Sequence, residues 1–230
     1  MADEPEQQEA EPLTVTTVPK NQKIFHITHV NNLPGVVRDQ VMWSDAACLA
    51  KGQGCQIVGI SRIKQRRLMA IDVTCHQGTK VGEYVPFYFC PRSVMLYILY
   101  RGNHPDIDYQ GGQELIVHLQ ADLAATVAWA ESSRVRWAFS NGNAGAFVTT
   151  FYSDLSELDR VDWSAVQAAD WRDPAVKERK QAEFLVYESF PWQLVEKIGV
   201  ASTRTASQVN KATNNANHQP VVKVERGWYY

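Results

Sequence analysis

The stretch AEFLVY, residues 182–187, sets a carboxylate inside an otherwise apolar run. Its aromatic and β-branched content makes it a strand, and the two-residue period puts Glu183 on one face with Leu185 and Tyr187. A carboxylate buried there without a partner would cost several kcal/mol. Two arrangements avoid that cost. Either the strand lies at a sheet edge where that face is wet, or Glu183 is held deep by a partner and has a chemical task. The string alone leaves both open.

A second constrained segment, KIFHITHVNNLPGVV at residues 23–37, reads as a strand that gives way to a helix over LPGVVRDQVMW, with Asn32 and Pro34 marking the helix start. His26 and His29 stand three apart, so in a strand they leave opposite faces and cannot share one metal ion. His26 and Thr28 share a face. Free backbone N–H groups from Asn32 to Gly35 would point back at the strand end, which suits a pyrophosphate or an amide-bearing ligand. A hydrogen-bonded core histidine fits the same residues.

Further along, SRIKQRRLMAID predicts a short helix or turn running into a strand. EYVPFYFCPRSVMLYILYRGN predicts a strand around Phe87 to Phe89, a break at Pro91 and an apolar helix up to Gly102. Strands are expected at ELIVHLQ and AFVTTFY, with a helix at ADLAATVAWAESS. Residues 153–180 read as a long loop with short helices, PWQLVEKIGV as helical, and PVVKVERGWYY as a terminal strand. Strands and helices mix without βαβ alternation, so the fold class is α+β, with central sheets and flanking helices.

The 230 residues, 45% of them hydrophobic, suit one domain from residue 23 to 230. The acidic opening MADEPEQQEAEP lacks large apolar residues, so residues 1–22 are expected to be a disordered tail. With no apolar run long enough for a membrane span and no signal-peptide pattern, the expected location is cytoplasmic. Cys48, Cys55, Cys75 and Cys90 show no CxxC spacing, which argues for buried thiols and against a zinc site. Zinc-protease, α/β-hydrolase, P-loop and Rossmann motifs are all missing. A net charge of −2 argues against non-specific coating of nucleic acid, so any such site must be a local basic surface. Two basic clusters qualify: Arg62, Lys64, Arg66 and Arg67, and Lys177, Arg179 and Lys180. The aromatics Tyr84, Phe87, Tyr88, Phe89, Trp163 and Trp171 would stack bases if exposed.

Taken in order, IFHITHVNNLPGV, SRIKQRR, EYVPFYFCPRSVMLY, FSNGNA and KQAEFLVYESFPW resemble the DarT family of DNA ADP-ribosyltransferase toxins, from Lys23 to the closing WYY. The resemblance implies an ADP-ribosyltransferase-like fold whose long loop over residues 153–180 faces the substrate. It implies transfer of ADP-ribose from NAD, used as a substrate and without a metal, to a base of single-stranded DNA, in many members thymine N3. Glu183 matches the catalytic glutamate. The catalytic arginine falls in SRIKQRR, at Arg66 or Arg67. His26, Ile27, Thr28, Asn32, Gly35 and Tyr88 would hold NAD, while Arg92, Asn143, Lys177 and Arg179 would face the DNA. At Asn143 the chain departs from the histidine often found in that family. The resemblance further implies a monomer restrained by a macrodomain antitoxin, DarG. Transfer to guanine, RNA or protein, or a silent binding module of the same fold, are the alternatives.

Overall fold

In the computed structural model, which describes residues 17–52, 59, 61–146 and 148–230, the strand expected at residues 23–29 forms as β1 (Lys23–His29). Helix α1 (Leu33–Asp39) follows, then β2 (Val41–Trp43), α2 (Asp45–Ala50), α3 (Ser61–Met69), β3 (Tyr84–Tyr88) and α4 (Val94–Arg101). The middle of the chain supplies β4 (Ile116–Asp122), α5 (Leu123–Ser132), β5 (Trp137–Asn143) and β6 (Phe151–Tyr152). Two short helices, α6 (Trp163–Gln167) and α7 (Pro174–Arg179), precede β7 (Ala182–Tyr187) and β8 (Ser189–Pro191). β9 (Lys197–Val200), α8 (Thr203–Thr213) and β10 (Val221–Val224) complete the order.

Among the described residues, eight strands form one sheet in the order β10-β9-β4-β1-β3-β7-β5-β6, and β2 pairs with β8 in a small second sheet. β9 and β10 run parallel, and the other neighbours run antiparallel. This is the mixed α+β architecture expected. β7 lies between β3 and β5, so its apolar side chains are covered and the wet-edge alternative for Glu183 does not apply. Ile24, Val85, Phe87, Leu119, Phe184, Val186, Phe190 and Trp192 fill the main core.

The seam between β1 and β3 differs from its neighbours. β1 runs beside β4 in continuous register from Lys23–Asp122 to His29–Ile116, whereas against β3 it registers at Phe25 opposite Tyr88. The sheet therefore splays there, and the free ends of both strands face a common gap.

Helix ends follow from local chemistry. Ser93 caps α4 through Leu96 N–H, and Gly102 closes it in the left-handed conformation at φ 58°, a backbone shape that costs glycine nothing. Asp122 caps α5 and Asp173 caps α7.

Several sequence expectations are corrected. PWQLVEKIGV forms a single 3-10 turn at Trp192–Leu194 and then β9, because Ile198 and Val200 pack as alternating strand residues beside β4. The helix α8 lies just after it. AFVTTFY contributes only the two-residue β6, while the long strand is β5, over a segment whose Ser140, Asn141 and Gly142 obscured it. The strand expected after SRIKQRRLM reduces to a bridge between Asp72 and Lys80. α1 starts at Leu33 with Asn32 as its N-cap and Pro34 in its first turn, as expected, but it ends at Asp39, and the Val41–Trp43 part of the expected helix forms β2. A 3-10 turn over Val30–Asn32 precedes α1, capped by the His29 side chain, which accepts from Asn31 N–H at 3.1 Å. Cys48, Cys75 and Cys90 are partly rather than fully buried. Of the tail expected over residues 1–22, residues 1–16 lie outside those described, and 17–22 precede β1 as coil and turn.

Candidate active site

A cleft of about 470 Å³ opens at the splayed seam. His26, Ile27 and Thr28 from β1, Asn32 and Gly35 from the turn into α1, and Tyr88 from β3 all line it, so the structure gathers all six residues expected to hold the nucleotide. Trp43, Asp45, Lys64, Arg67 and Met95 complete much of the wall.

His26 is anchored by its Nδ1, 2.8 Å from the Pro86 carbonyl, which ties β1 to β3 where their ladder opens. A carbonyl can only accept, so Nδ1 carries the proton and Nε2 is left as an acceptor. Burial lowers the pKa of this imidazole despite that hydrogen bond, which keeps it neutral. Thr28 Oγ1 accepts from Asn32 Nδ2 at 3.0 Å, fixing the polar face beside it. His29 points away from the cleft into the turn that it caps, as the alternation of the strand requires.

Glu183 sits directly across from Tyr88 in the β3–β7 register and is 3% exposed. Arg67 meets it with both arms of the guanidinium, Nη1 to Oε1 at 2.9 Å and Nη2 to Oε2 at 2.8 Å. Burial alone would lower the arginine's pKa, but the charge and hydrogen bonds of Glu183 more than offset it, so the guanidinium titrates above its ordinary value. Burial, with the nearby Glu183 charge, drives the Tyr88 phenol strongly upward as well. Successive residues of a helix point about 100° apart, so Arg66 and Arg67 cannot both face the carboxylate. Arg67 is the one that lines the cleft and holds Glu183.

Two residues unnoticed in the sequence make this pairing possible. The first is Gly82: a Cβ built there would lie 2.8 Å from the Leu68 Cα and closer still to its side chain. The backbone of α3 thus rides directly on this glycine, which sets Arg67 above β3 and β7. The second is Ser140, fully buried in β5. The β5–β7 register shifts between Phe139 opposite Phe184 and Asn143 opposite Ala182, and the Glu183 N–H donates to Ser140 Oγ at 3.0 Å. Ser140 Oγ in turn donates to the Gly142 carbonyl at 2.7 Å. A small hydroxyl inside a strand before Asn-Gly-Asn was the available signal for such a bulge.

Of the residues expected to face nucleic acid, Lys177 and Arg179 lie on α7, Asn143 ends β5 and Arg92 precedes α4. Arg92 and Lys177 are exposed, and Arg179 is exposed but ion-paired to Asp162 at 3.1 Å. Asn143 is occupied within the protein: its Oδ1 accepts from Gly145 N–H, its Nδ2 donates to Gln181 and its backbone N–H to Glu178. Lys180, the last of that basic cluster, is buried and donates to the Val166 carbonyl at 2.7 Å. Of the aromatics expected to stack bases, Tyr84, Phe87, Phe89 and Trp163 are core residues, because they fill the two faces of β3 and its neighbours. Among the described residues no three His, Cys, Asp or Glu side chains cluster as a metal site, and no helix is long and apolar enough to cross a membrane.

A mixed sheet with a nucleotide-sized cleft lined by Arg67, itself paired to the buried Glu183, fits a nucleotide-using transferase, and comparison with known proteins makes that class specific. The family described as "ssDNA thymidine ADP-ribosyltransferase, DarT" matches residues 25–230, and the chain belongs to this DarT family of DNA ADP-ribosyltransferases. A DNA ADP-ribosyl transferase of Thermus sp. (strain 2.9) is 37% identical over 217 residues, covering 93% of this chain and 99% of that protein. The solved structure of Thermus sp. 2.9 DarT in complex with ADP-ribosylated ssDNA superposes with a TM-score of 0.83 at 35% identity, over 94% of this chain and 100% of that one. The same protein in complex with NAD+ gives 0.78 at 36% identity, over 93% and 100%. A more distant relative from Thermosipho africanus, 27% identical over 86% of this chain and 47% of its own length, is a fusion of a DNA ADP-ribosyl transferase with a DNA ADP-ribosyl glycohydrolase.

Proposed function

We propose that this chain binds NAD in the cleft under β1, breaks the bond from ribose C1′ to nicotinamide, and joins C1′ to N3 of a thymine in single-stranded DNA within a short sequence context. The observation that carries this reading is the buried bidentate Arg67–Glu183 pair beside Tyr88. Complexes of the Thermus relative with NAD+ and with ADP-ribosylated ssDNA support the choice of both substrates.

Nicotinamide leaves as a neutral molecule from a cationic ring, so the reaction needs no acid to protonate the leaving group, unlike sugar hydrolysis. It needs negative charge near the developing oxocarbenium ion. Glu183 supplies that charge and accepts from a ribose hydroxyl with the lone pairs that Arg67 leaves over. The neutral His26 lets the nicotinamide cation approach without repulsion, its Nε2 and Thr28 offering the amide polar partners. At the acceptor, N3 loses a proton as it attacks C1′. Arg67 cannot take it, since its pKa is raised from an already high value; its fixed charge stabilises the N3 anion, and Glu183 is the base at hand.

Arg92, ahead of α4, and Lys177 and Arg179, on α7, hold the DNA backbone, while Asn143 shapes the acceptor side through the bonds that fix the segment after β5. Residues 23–230 act as one catalytic domain and a monomer, with residues 1–22 outside the catalysis. The setting is the cytoplasm, where the activity is toxic unless a DarG macrodomain removes the mark. The transferase–glycohydrolase fusion in Thermosipho supports such a partner.

Incubating the purified chain with labelled NAD and, separately, single-stranded DNA, RNA or protein tests the proposal. Label should appear on DNA, at thymine, and vanish in Glu183→Ala. Label on RNA or protein instead, or label that survives Glu183→Ala, overturns it.

A further inference from the structure

The aromatics that the sequence offered for stacking are largely core, but one of them, Trp171, belongs to a group gathered at the surface. Tyr97 and Tyr100 of α4, Trp171 ahead of α7, and Tyr230 form one cluster. The Tyr97 ring meets Trp171 edge-on at 4.9 Å and Tyr230 at 5.0 Å, and Tyr100 lies nearly parallel to Tyr230, at 23° and 6.1 Å. Tyr100 is 49% exposed. Two cations sit on the cluster: the Arg92 guanidinium 4.4 Å above the Tyr230 ring, and the Lys177 ammonium 5.9 Å from that of Trp171. Both are exposed, and neither forms an ion pair among the described residues.

The cluster is also held in place before anything binds. The Tyr230 hydroxyl donates to the Arg92 carbonyl at 3.1 Å, and its backbone N–H donates to Gln113 Oε1. A ring already fixed loses little entropy on binding. Helix α4 carries residues of both sites: Met95, in its first turn, lines the cleft wall, and Tyr97 and Tyr100 belong to the cluster.

We propose that this aromatic and basic surface holds the single-stranded DNA flanking the reacting base, with a neighbouring base stacked on Tyr100 and Tyr230 and phosphates on Arg92 and Lys177. Exposed ring faces bind unpaired bases of any sequence, and uncompensated cations track a phosphate backbone; a duplex hides its base faces and gains only the second. The inference rests on single-stranded DNA being the acceptor. It assigns the flank to residues outside the NAD cleft.

The test compares labelled single strands of about five nucleotides, holding the target thymine and its neighbours, with strands of about twelve, a length within the reach of such platforms. Binding is measured by anisotropy without NAD. Wild-type protein should bind the longer strand more tightly. Tyr100→Ala should remove about five- to tenfold of that gain, as expected for one lost stacked base, while Tyr100→Phe, which keeps the ring, should retain it. Arg92→Ala should lower the salt slope on the longer strand by about 0.7, the share of one phosphate on a single strand. Equal wild-type affinity for both lengths, an unchanged gain in Tyr100→Ala, or a loss that Tyr100→Phe fails to restore would overturn the platform. Transfer of label to the short strand is scored separately, so failure of the enzymatic proposal shows as no label on any DNA, whatever the length dependence.

Discussion

Glu183 and His118 are both titratable, both buried in interior strands, and kept there in opposite ways. Glu183 faces the full, two-armed opposite charge of Arg67, which lines the cleft. His118 is fully enclosed and keeps no charge: Nε2 meets the Pro91 carbonyl at 2.9 Å, Nδ1 meets the Tyr229 hydroxyl at 3.2 Å, and burial drives its pKa down to about 4. Every polar atom of the imidazole is used within the protein. The carboxylate, by contrast, keeps lone pairs beyond those that Arg67 engages. A buried ion pair is often less stable than a well-packed apolar substitute, so stability alone is a weak account of this one. A neutral, satisfied histidine stitches the end of the chain to the sheet.

Glu183→Gln should break the first half of that contrast most severely. It preserves size and removes the charge, so transfer to DNA should fall by about a thousandfold or more while NAD affinity moves only a few-fold. Single-turnover rates and equilibrium NAD binding measure the two; transfer within a few-fold of wild type would place the chemistry elsewhere.

The second half is tested by acid. The folded pKa of His118, about 4, lies below the ordinary 6.5, so the unfolded chain takes up the proton first. The stability it contributes is whole above about pH 6.5 and is lost as pH falls towards 4, about 3 kcal/mol in all. His26 and His29, also lowered by burial, act in the same direction. Urea unfolding at stepped pH should show the decline, and His118→Gln should flatten part of it. A flat profile in the parent protein would mean that this histidine is not held neutral.

Exchanging the cation gives the smallest effect and the sharpest one. Arg67→Lys retains charge but not the two-armed geometry, and should lower transfer about ten- to a hundredfold. Arg66→Lys should change it little. Reversed results would move the catalytic role to the neighbouring arginine.

How much of this was legible in the string depends on what each element owes to distant residues. β1, β7, α4 and α5 carry local signals: alternation, apolar runs, a Ser93 cap, a closing glycine. Glu183 stood out because its own strand made it anomalous. β9 did not, since PWQLVEKIGV becomes a strand through its pairing with β4, far away in sequence. The choice between Arg66 and Arg67 depended on how α3 turns over Gly82, and Ser140 gained meaning only once β5 was seen to slip against β7. Of the aromatics expected to stack bases, Tyr84, Phe87, Phe89 and Trp163 are buried by the sheet and its cover, whereas Trp171 reaches the surface cluster. Tyr97, Tyr100 and Tyr230 meet only because the terminal segment folds back onto α4.

Arg67 and Glu183 are 116 positions apart along the chain, and the strand that carries the acid is laid between two others made much earlier. Closing a loop of that length is entropically uphill until the intervening sheet is in place, and topologies built on such distant partners fold slowly. A growing polypeptide on the ribosome therefore carries the arginine long before its counterpart exists. Between the synthesis of Arg67 and the closure of the sheet over Glu183, the chain exists without its completed ion pair.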